Sequence, residues 1–353
     1  MSIQNIQNFL VRENDYKNTL KKLGFKIRSH KKLNIISTPY KKYIDSDFSN
    51  FCRGLVVNPD CKILCIPPQK AIEVKDIKDI KDLEIENNNV FFEELIDGTM
   101  INVFWFEDNW LISTRSEIGG YNKWNDKKSF KDLFNECLDF DLNNLNQDCC
   151  YSFVMRHQNN RNIAKIDQNE LILVEMYNNL NRVDYDNYPD FCKKVNRTNK
   201  LEEIKYNLDN SYFFKGYTLK IDDKRYKIVN NNFEKIKKIK GNRNNLFLTY
   251  FDLRKNGQLK EYFNYFPENT SLFEEYRDKV HRFSNELYTT YKDTYIYKKM
   301  EKKDVPYYLN PYMSEIHKKY LETKIPISWE MIKNYIYNLD SEKIYFSFQF
   351  TDY

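Results

Sequence analysis

The stretch FFEELIDGTMINVFWFEDNWLISTRSEIGG, residues 91–120, restricts the fold more than any other part of the chain. Two runs of β-branched and aromatic residues flank the polar break Glu107-Asp108-Asn109, a pattern that predicts a β-hairpin. Just before the first run stands Leu95-Ile96-Asp97-Gly98-Thr99. A glycine there lets the backbone approach a ligand closely.

The segments on either side alternate between strand and helix patterns. Residues 4–23 place Ile6, Phe9, Leu10, Tyr16, Leu20 and Leu23 at helical spacing, with Gly24 as the stop. A basic stretch, KIRSHKKLNIIS and Tyr40-Lys41-Lys42-Tyr43, reads as a solvated face. FCRGLVV and KILCIPPQK read as strands around the turn Asn58-Pro59-Asp60, and residues 74–84 as a charged surface helix or linker. Ser129 can cap a helix carrying Phe130, Leu133, Phe134, Cys137 and Leu138. CYSFVMRH and ELILVEMY are strands, residues 187–208 helical, and YFFKGYTLK and KRYKIV strands around Asp222-Asp223. This alternation predicts an α+β domain of antiparallel sheets flanked by helices over residues 1–240.

Residues 241–353 carry helix signals only. Ser271-x-x-Glu274 has the form of a capping box before Leu272, Phe273, Tyr276, Val280, Phe283, Leu287 and Tyr291. Asn310-Pro311 opens a stripe of Met313, Ile316 and Tyr320, and Ser328 one of Trp329, Ile332, Tyr335 and Ile336. These stripes are the core of an all-α C-terminal domain.

The order of the segments carries a resemblance. Leu95-Ile96-Asp97-Gly98 resembles motif I, Lys-x-Asp-Gly, of the covalent nucleotidyltransferases (DNA and RNA ligases, capping enzymes), and the surrounding order resembles the phage RNA ligase 1 type. Arg53 and Lys70 match an arginine and a lysine that contact nucleotide phosphates in that family, and Thr114-Arg115-Ser116 matches the strand end after the hairpin. Phe153-Val154-Met155 with His157-x-x-Asn160-Arg161-Asn162 resembles motif III. Leu173-Val174-Glu175-Met176-Tyr177 resembles the motif whose aromatic stacks on adenine. Phe214-Lys215-Gly216-Tyr217 resembles motif IV, and Tyr226-Lys227-Ile228-Val229 resembles motif V. The resemblance implies a ligase adenylation domain followed by a helical domain that contacts RNA, tRNA in the family. It also implies ATP as the nucleotide and a divalent ion such as Mg2+. The implied nucleotide- and phosphate-binding residues are Arg53, Lys70, Arg115, Tyr177, Lys215 and Lys227.

Four positions depart from the family pattern together. Leu95 stands where the family has its nucleophilic lysine, Val154 and Lys215 where it has glutamates, and Val229 where it has a lysine. Leucine and valine cannot attack a phosphate, take a proton or bind a metal. Two classes of function stay open: a nucleotide- and RNA-binding protein without lysyl-adenylate chemistry, or an RNA ligase or nucleotidyltransferase with a relocated nucleophile or no covalent intermediate. In the first class no metal ligand is assigned.

Composition excludes other classes. With 41% hydrophobic and 30% charged residues the chain reads as globular, and a net charge of +5 permits RNA binding without demanding it. Seven scattered cysteines read as reduced core thiols, with Cys61 and Cys65 on neighbouring hairpin strands. The N-terminus lacks a signal-peptide core and no run is long enough for a membrane span, so an intracellular protein is expected. His157 has no carboxylate nearby in sequence and reads as a hydrogen-bonded loop residue. Ser113 and Thr114 have no His/Asp arrangement for nucleophilic work.

Overall fold

A computed structural model describes residues 2–39, 47–76, 79, 90–123, 128–221 and 224–350. The readings for Tyr40-Lys41-Lys42-Tyr43, for most of 74–84 and for the Asp222-Asp223 turn lie outside the described residues. The chain divides into two compact units, Met1–Lys235 and Ile236–Tyr353. The first is α+β and the second all-α.

Two helices open the first unit, α1 (Ile3–Arg12) and α2 (Tyr16–Lys22), where the spacing predicts one. The break comes from Asp15, whose side chain accepts the Asn18 N–H and starts a new helix. Leu23 falls outside the apolar stripe and is 45% exposed. The first sheet is an antiparallel meander of β1 (Lys26–His30), β2 (Leu33–Ser37), β3 (Arg53–Val57) and β4 (Ile63–Cys65). Cys61 lies in the β3–β4 turn, not on a strand beside Cys65, because Asn58 binds the Lys62 N–H and pulls residues 58–62 into the loop.

Next in chain order come β5 (Ile72–Val74), β6 (Phe92–Glu94), β7 (Thr99–Phe106) and β8 (Asn109–Ser113). They are followed by β9 (Cys149–Arg156), β10 (Glu170–Asn178), β11 (Asn181–Arg182), β12 (Arg197–Thr198), β13 (Gly216–Ile221) and β14 (Lys224–Val229). The central sheet runs β11-β10-β9-β7-β8, and the third runs β12-β6-β13-β14-β5. Pairing is antiparallel except for β5, which lies parallel to β14. The predicted hairpin is β7–β8, turning at Glu107-Asp108 with both φ angles positive (46° and 60°).

Strand alternation gives the central sheet two buried faces. Ile101, Val103, Tyr151, Phe153, Met155, Leu171 and Leu173 form one core, with Leu133, Phe134 and Cys137 of α3 (Phe130–Cys137) packed in it. Ser129 and Asp132 cap α3 reciprocally. The helix expected over 187–208 is shorter: α4 is Leu201–Asn210. A 3-10 turn at Tyr185–Asn187 and the strand β12 take up the preceding residues, since Pro189 has no N–H for a helix interior.

The second unit takes α6 (Leu246–Lys255), α7 (Leu259–Tyr265), α8 (Thr270–Tyr291), α9 (Asn310–Thr323), α10 (Trp329–Asn338) and α11 (Ser341–Phe348), while α5 (Asn231–Lys240) spans the division. Ser271 does not cap α8. Chain from Pro267 is already turning in a 3-10 helix, and Thr270 leads directly into α8 with its hydroxyl on the Pro267 carbonyl. Ser328 does cap α10, accepting the Met331 N–H. Phe273, Val280, Phe283, Met313, Ile316, Ile332 and Ile336 are all buried, as their stripes predict. No helix among the described residues is long and apolar enough to cross a membrane.

Candidate functional site

The motif I segment links β6 to β7, so the third and central sheets meet at it. The Leu95 N–H donates to the Gly216 carbonyl at 2.8 Å, and Gly216 pairs in register with Val229. Position 98 needs glycine for packing: a Cβ there would lie 2.5 Å from the Met155 carbonyl oxygen and 2.7 Å from a Val154 methyl. Gly216 is similar. Its φ is 140°, and a Cβ would lie 2.1 Å from the Ile228 carbonyl oxygen. Leu95, Asp97, Gly98, Val154, Lys215 and Val229, 134 positions apart at the extremes (229 − 95), are thereby drawn to one place.

The charges at that place are engaged with each other. One Asp97 carboxylate oxygen accepts the N–H groups of Ile163 and Ala164 at 2.8 and 3.0 Å. Its other oxygen lies 3.7 Å from the Lys215 ammonium, which also donates to the Ile96 carbonyl at 3.3 Å. Lys215 therefore folds back over the motif I turn. It neither points to solvent from a strand end nor stands apart for a phosphate.

Val154 is 6% exposed and belongs to an apolar cluster with Ile96, Ile172, Val174 and Val195, with Met100 and Tyr185 packed against it. Met100, Val154 and Ile172 are register partners across β7, β9 and β10. A divalent ion needs oxygen donors. Here the two positions that are glutamates in the resembled family hold a buried methyl group and an ammonium, and the Asp97 oxygens are already engaged. These residues do not fit Mg2+.

Two residues along β7 and β9, and three along β10 past its bulge, the chemistry reverses. Ser113, Asn102, Ser152 and Glu175 form a buried row across β8, β7, β9 and β10, with the Ser152 hydroxyl on Asn102 Oδ1 at 2.8 Å. Lys220 of β13 reaches in from the third sheet. Its ammonium lies 2.8 Å from Glu93 and 3.5 Å from Glu175, and donates to the Val174 carbonyl at 2.9 Å. Burial pushes the Glu175 carboxyl up, but the cations Lys220, Arg225 and Arg182 outweigh it and hold it below its ordinary value.

The other expected residues have varied places. Tyr177 is 4% exposed, packed in the core beneath the first sheet, with its hydroxyl on Glu175 at 3.0 Å. The resemblance implies an aromatic that stacks on adenine at this position; here the ring is buried in that core, and burial with the Glu175 charge raises its hydroxyl pKa. Arg53 begins β3, and Arg115 lies against the next residue, Gly54, with its guanidinium on the Thr38 hydroxyl at 2.9 Å. Lys70 is exposed, and its backbone N–H is bonded to Asn50. Lys227 pairs with Glu73 at 2.6 Å. His157 is 2% exposed, accepts the Asn159 N–H at Nδ1, and places Nε2 3.0 Å from Glu136 and 3.1 Å from Asn169. It is a loop-fixing residue whose carboxylate comes from α3, out of sight in the local sequence.

Glu93, Lys220 and Glu175 escaped sequence reasoning as a set. A signal was present: Glu175 interrupts the otherwise apolar run Leu171–Tyr177.

No family model matches the chain, and no curated protein does. Among solved structures it is similar to a putative ATP-dependent DNA ligase from Aquifex aeolicus, at 14% identity and a TM-score of 0.46, over 78% of this chain and 80% of that one. It is also similar to a Naegleria gruberi RNA ligase with PPi, at 14% identity and a TM-score of 0.34, over 48% of this chain and 58% of that one. A lysine-to-alanine variant of the Naegleria enzyme scores 0.31 at 13% identity, over 47% and 57%. All three scores lie below 0.5, and the reading of the site rests on its residues.

Proposed function

We propose that this chain is a ligase-like nucleotidyltransferase that has left lysyl-adenylate chemistry and binds nucleotide phosphates and RNA ends. The observation that carries this is the convergence of Leu95, Val154, Val229 and Lys215 on one turn, with Lys215 tied to Asp97. Adenylation needs a neutral amine facing the α-phosphate and oxygens to hold a metal. Leu95 supplies no amine. Lys215 is the nearest cation at the turn, and as the ammonium partner of Asp97 it offers no lone pair.

Phosphate recognition can outlast that chemistry. Arg53 begins β3, the Arg115 backbone lies against the next residue, Gly54, and Lys70 is exposed beyond β4. Guanidinium groups bind phosphate oxygens in paired hydrogen bonds without a metal. On this reading ATP is a ligand rather than a donor of AMP, and RNA is the polyanionic partner.

The test is binding of a 5′-phosphorylated RNA oligonucleotide and of ATP, each measured with magnesium and with EDTA. Binding is expected in both conditions and is weakened by Arg53→Ala and Lys70→Ala. Strict magnesium dependence would contradict the reading. Leu95→Lys alone is expected not to join RNA ends, since residues that act as one catalytic unit fail together.

A further inference from the structure

The helical unit gathers a different chemistry where α8 ends. Its last residues widen into a π-helical turn, Lys292–Ile296, a form that recurs at functional positions. From this turn Tyr295 stacks face to face on His317 of α9, with ring centroids 3.8 Å apart and planes 16° apart. His317 continues the ladder to Tyr320, at 5.9 Å and 29°. Ammonium groups flank the rings. Lys302 lies 5.2 Å from the Tyr295 centroid and Lys324 6.0 Å from Tyr320. Tyr297 is 51% exposed and held between Lys292 at 5.1 Å and Lys299 at 5.3 Å.

Charge points the same way. Residues 292–324 hold eight lysines against five carboxylates, and Glu315 is spent on Lys343 and Tyr335 away from the ladder. Burial, then Lys302, Lys298 and Lys324, lower the His317 pKa, so its imidazole is a flat neutral ring at neutral pH. Such a surface presents π-faces and loosely held cations together. An exposed cation–π contact is weak, so a polyanion can draw the ammonium groups onto itself while its bases take the ring faces.

We propose that this end of the helical unit is a binding surface for single-stranded RNA, with bases stacking on Tyr297 and the Tyr295–His317–Tyr320 ladder and phosphates held by Lys292, Lys299 and Lys302. It deepens the function proposed above and rests on the reading of the chain as an RNA-binding protein. A duplex keeps its bases stacked inside and offers these rings nothing, so the surface selects single strands. An anionic lipid surface is the competing partner, but Ile296 (55% exposed) is the one aliphatic side chain of the π-helical turn, too little to insert in a bilayer.

The experiment uses the full chain and a fluorescein-labelled oligouridylate, read by anisotropy across a salt series, beside a duplex of the same length and phosphatidylserine vesicles. Tyr297→Ala is expected to weaken single-strand binding roughly 5- to 150-fold. Lys299→Gln and Lys302→Gln are each expected to lower the salt slope by about 0.7. A 4-thiouridine oligonucleotide should crosslink to peptides containing Tyr295 or Tyr297. If these variants bind normally and the crosslinks map elsewhere, while Arg53→Ala and Lys70→Ala weaken binding, the surface proposal is overturned and the reading of Arg53 and Lys70 as phosphate-binding residues survives. Vesicle binding without RNA binding overturns both, as does binding of neither.

Discussion

Two rows of side chains on the same strands, two or three residues apart, have opposite chemistry. Met100, Val154 and Ile172 form an apolar row beside the Leu95 turn. Asn102, Ser152 and Glu175 form a polar row that receives Lys220 from the facing sheet. The first contains the position where the resembled family keeps a catalytic carboxylate. The second includes Glu175, from the segment that resembles the adenine-stacking motif, and it holds the buried charges. The contrast teaches that the buried ion cluster ties the two sheets together, while the row beside the Leu95 turn is apolar at Val154, where the resembled family keeps a glutamate. A buried ion cluster is costly to desolvate, and this one, two or three residues from an apolar row, joins the central and third sheets as part of the architecture.

The largest expected effect comes from unbalancing the polar row. Lys220→Met removes the cation that lies between the buried Glu93 and Glu175 and is expected to cost about 3–5 kcal/mol. Urea denaturation followed by a first-unit signal measures it, and a loss under about 1 kcal/mol would mean that the cluster is solvated. Replacing all three charges with Leu, Met and Leu should recover most of that loss, because the penalty belongs to the unpaired ions.

At the turn between the two sheets, Asp97→Asn removes the partner of Lys215 and weakens the anchor of the loop at Ile163 and Ala164. A cost of about 1–3 kcal/mol is expected. Faster amide exchange at Ile163 and Ala164 in this variant would locate the loss, and unchanged exchange there would deny the anchor.

Of the two rows, acidification acts only on the polar one. The folded Glu175 carboxyl is held below its unfolded value, so the stability it confers is complete above the ordinary carboxylate range. That part is lost as pH falls through the lower folded value. The apolar row has no such dependence. Glu175→Gln should therefore flatten the acid limb of the stability profile, and an unaltered limb would assign it to other carboxylates.

The smallest effect belongs to the apolar row. Ile172→Val should cost about 0.5–1.5 kcal/mol and leave ATP and RNA binding untouched. A change in nucleotide affinity would place a ligand against that row.

Much of this was legible in the sequence because its signals are local. The hairpin, α3 with its Ser129 cap, β9 and β10, and the stripes of α8–α10 follow from alternation, helical spacing and caps. The site was legible only as an order of motifs. Lys215 and Ile96 are 119 residues apart, and no local pattern says that the lysine returns to the turn. Tyr177 reads as a stacking aromatic by position and is core by packing. The break at Asp15 and the early start of α8 were missed for the opposite reason, since a side-chain cap and a 3-10 turn override periodicity.

The most direct test of the central claim is incubation of the protein with α-labelled ATP, and separately GTP, with magnesium or manganese, followed by a denaturing gel. No label is expected on the protein, because Leu95 offers no amine and Lys215 is engaged with Asp97. A label that survives denaturation and maps to a lysine, Lys70 and Lys215 being the first to examine, would contradict the account and establish a relocated nucleophile.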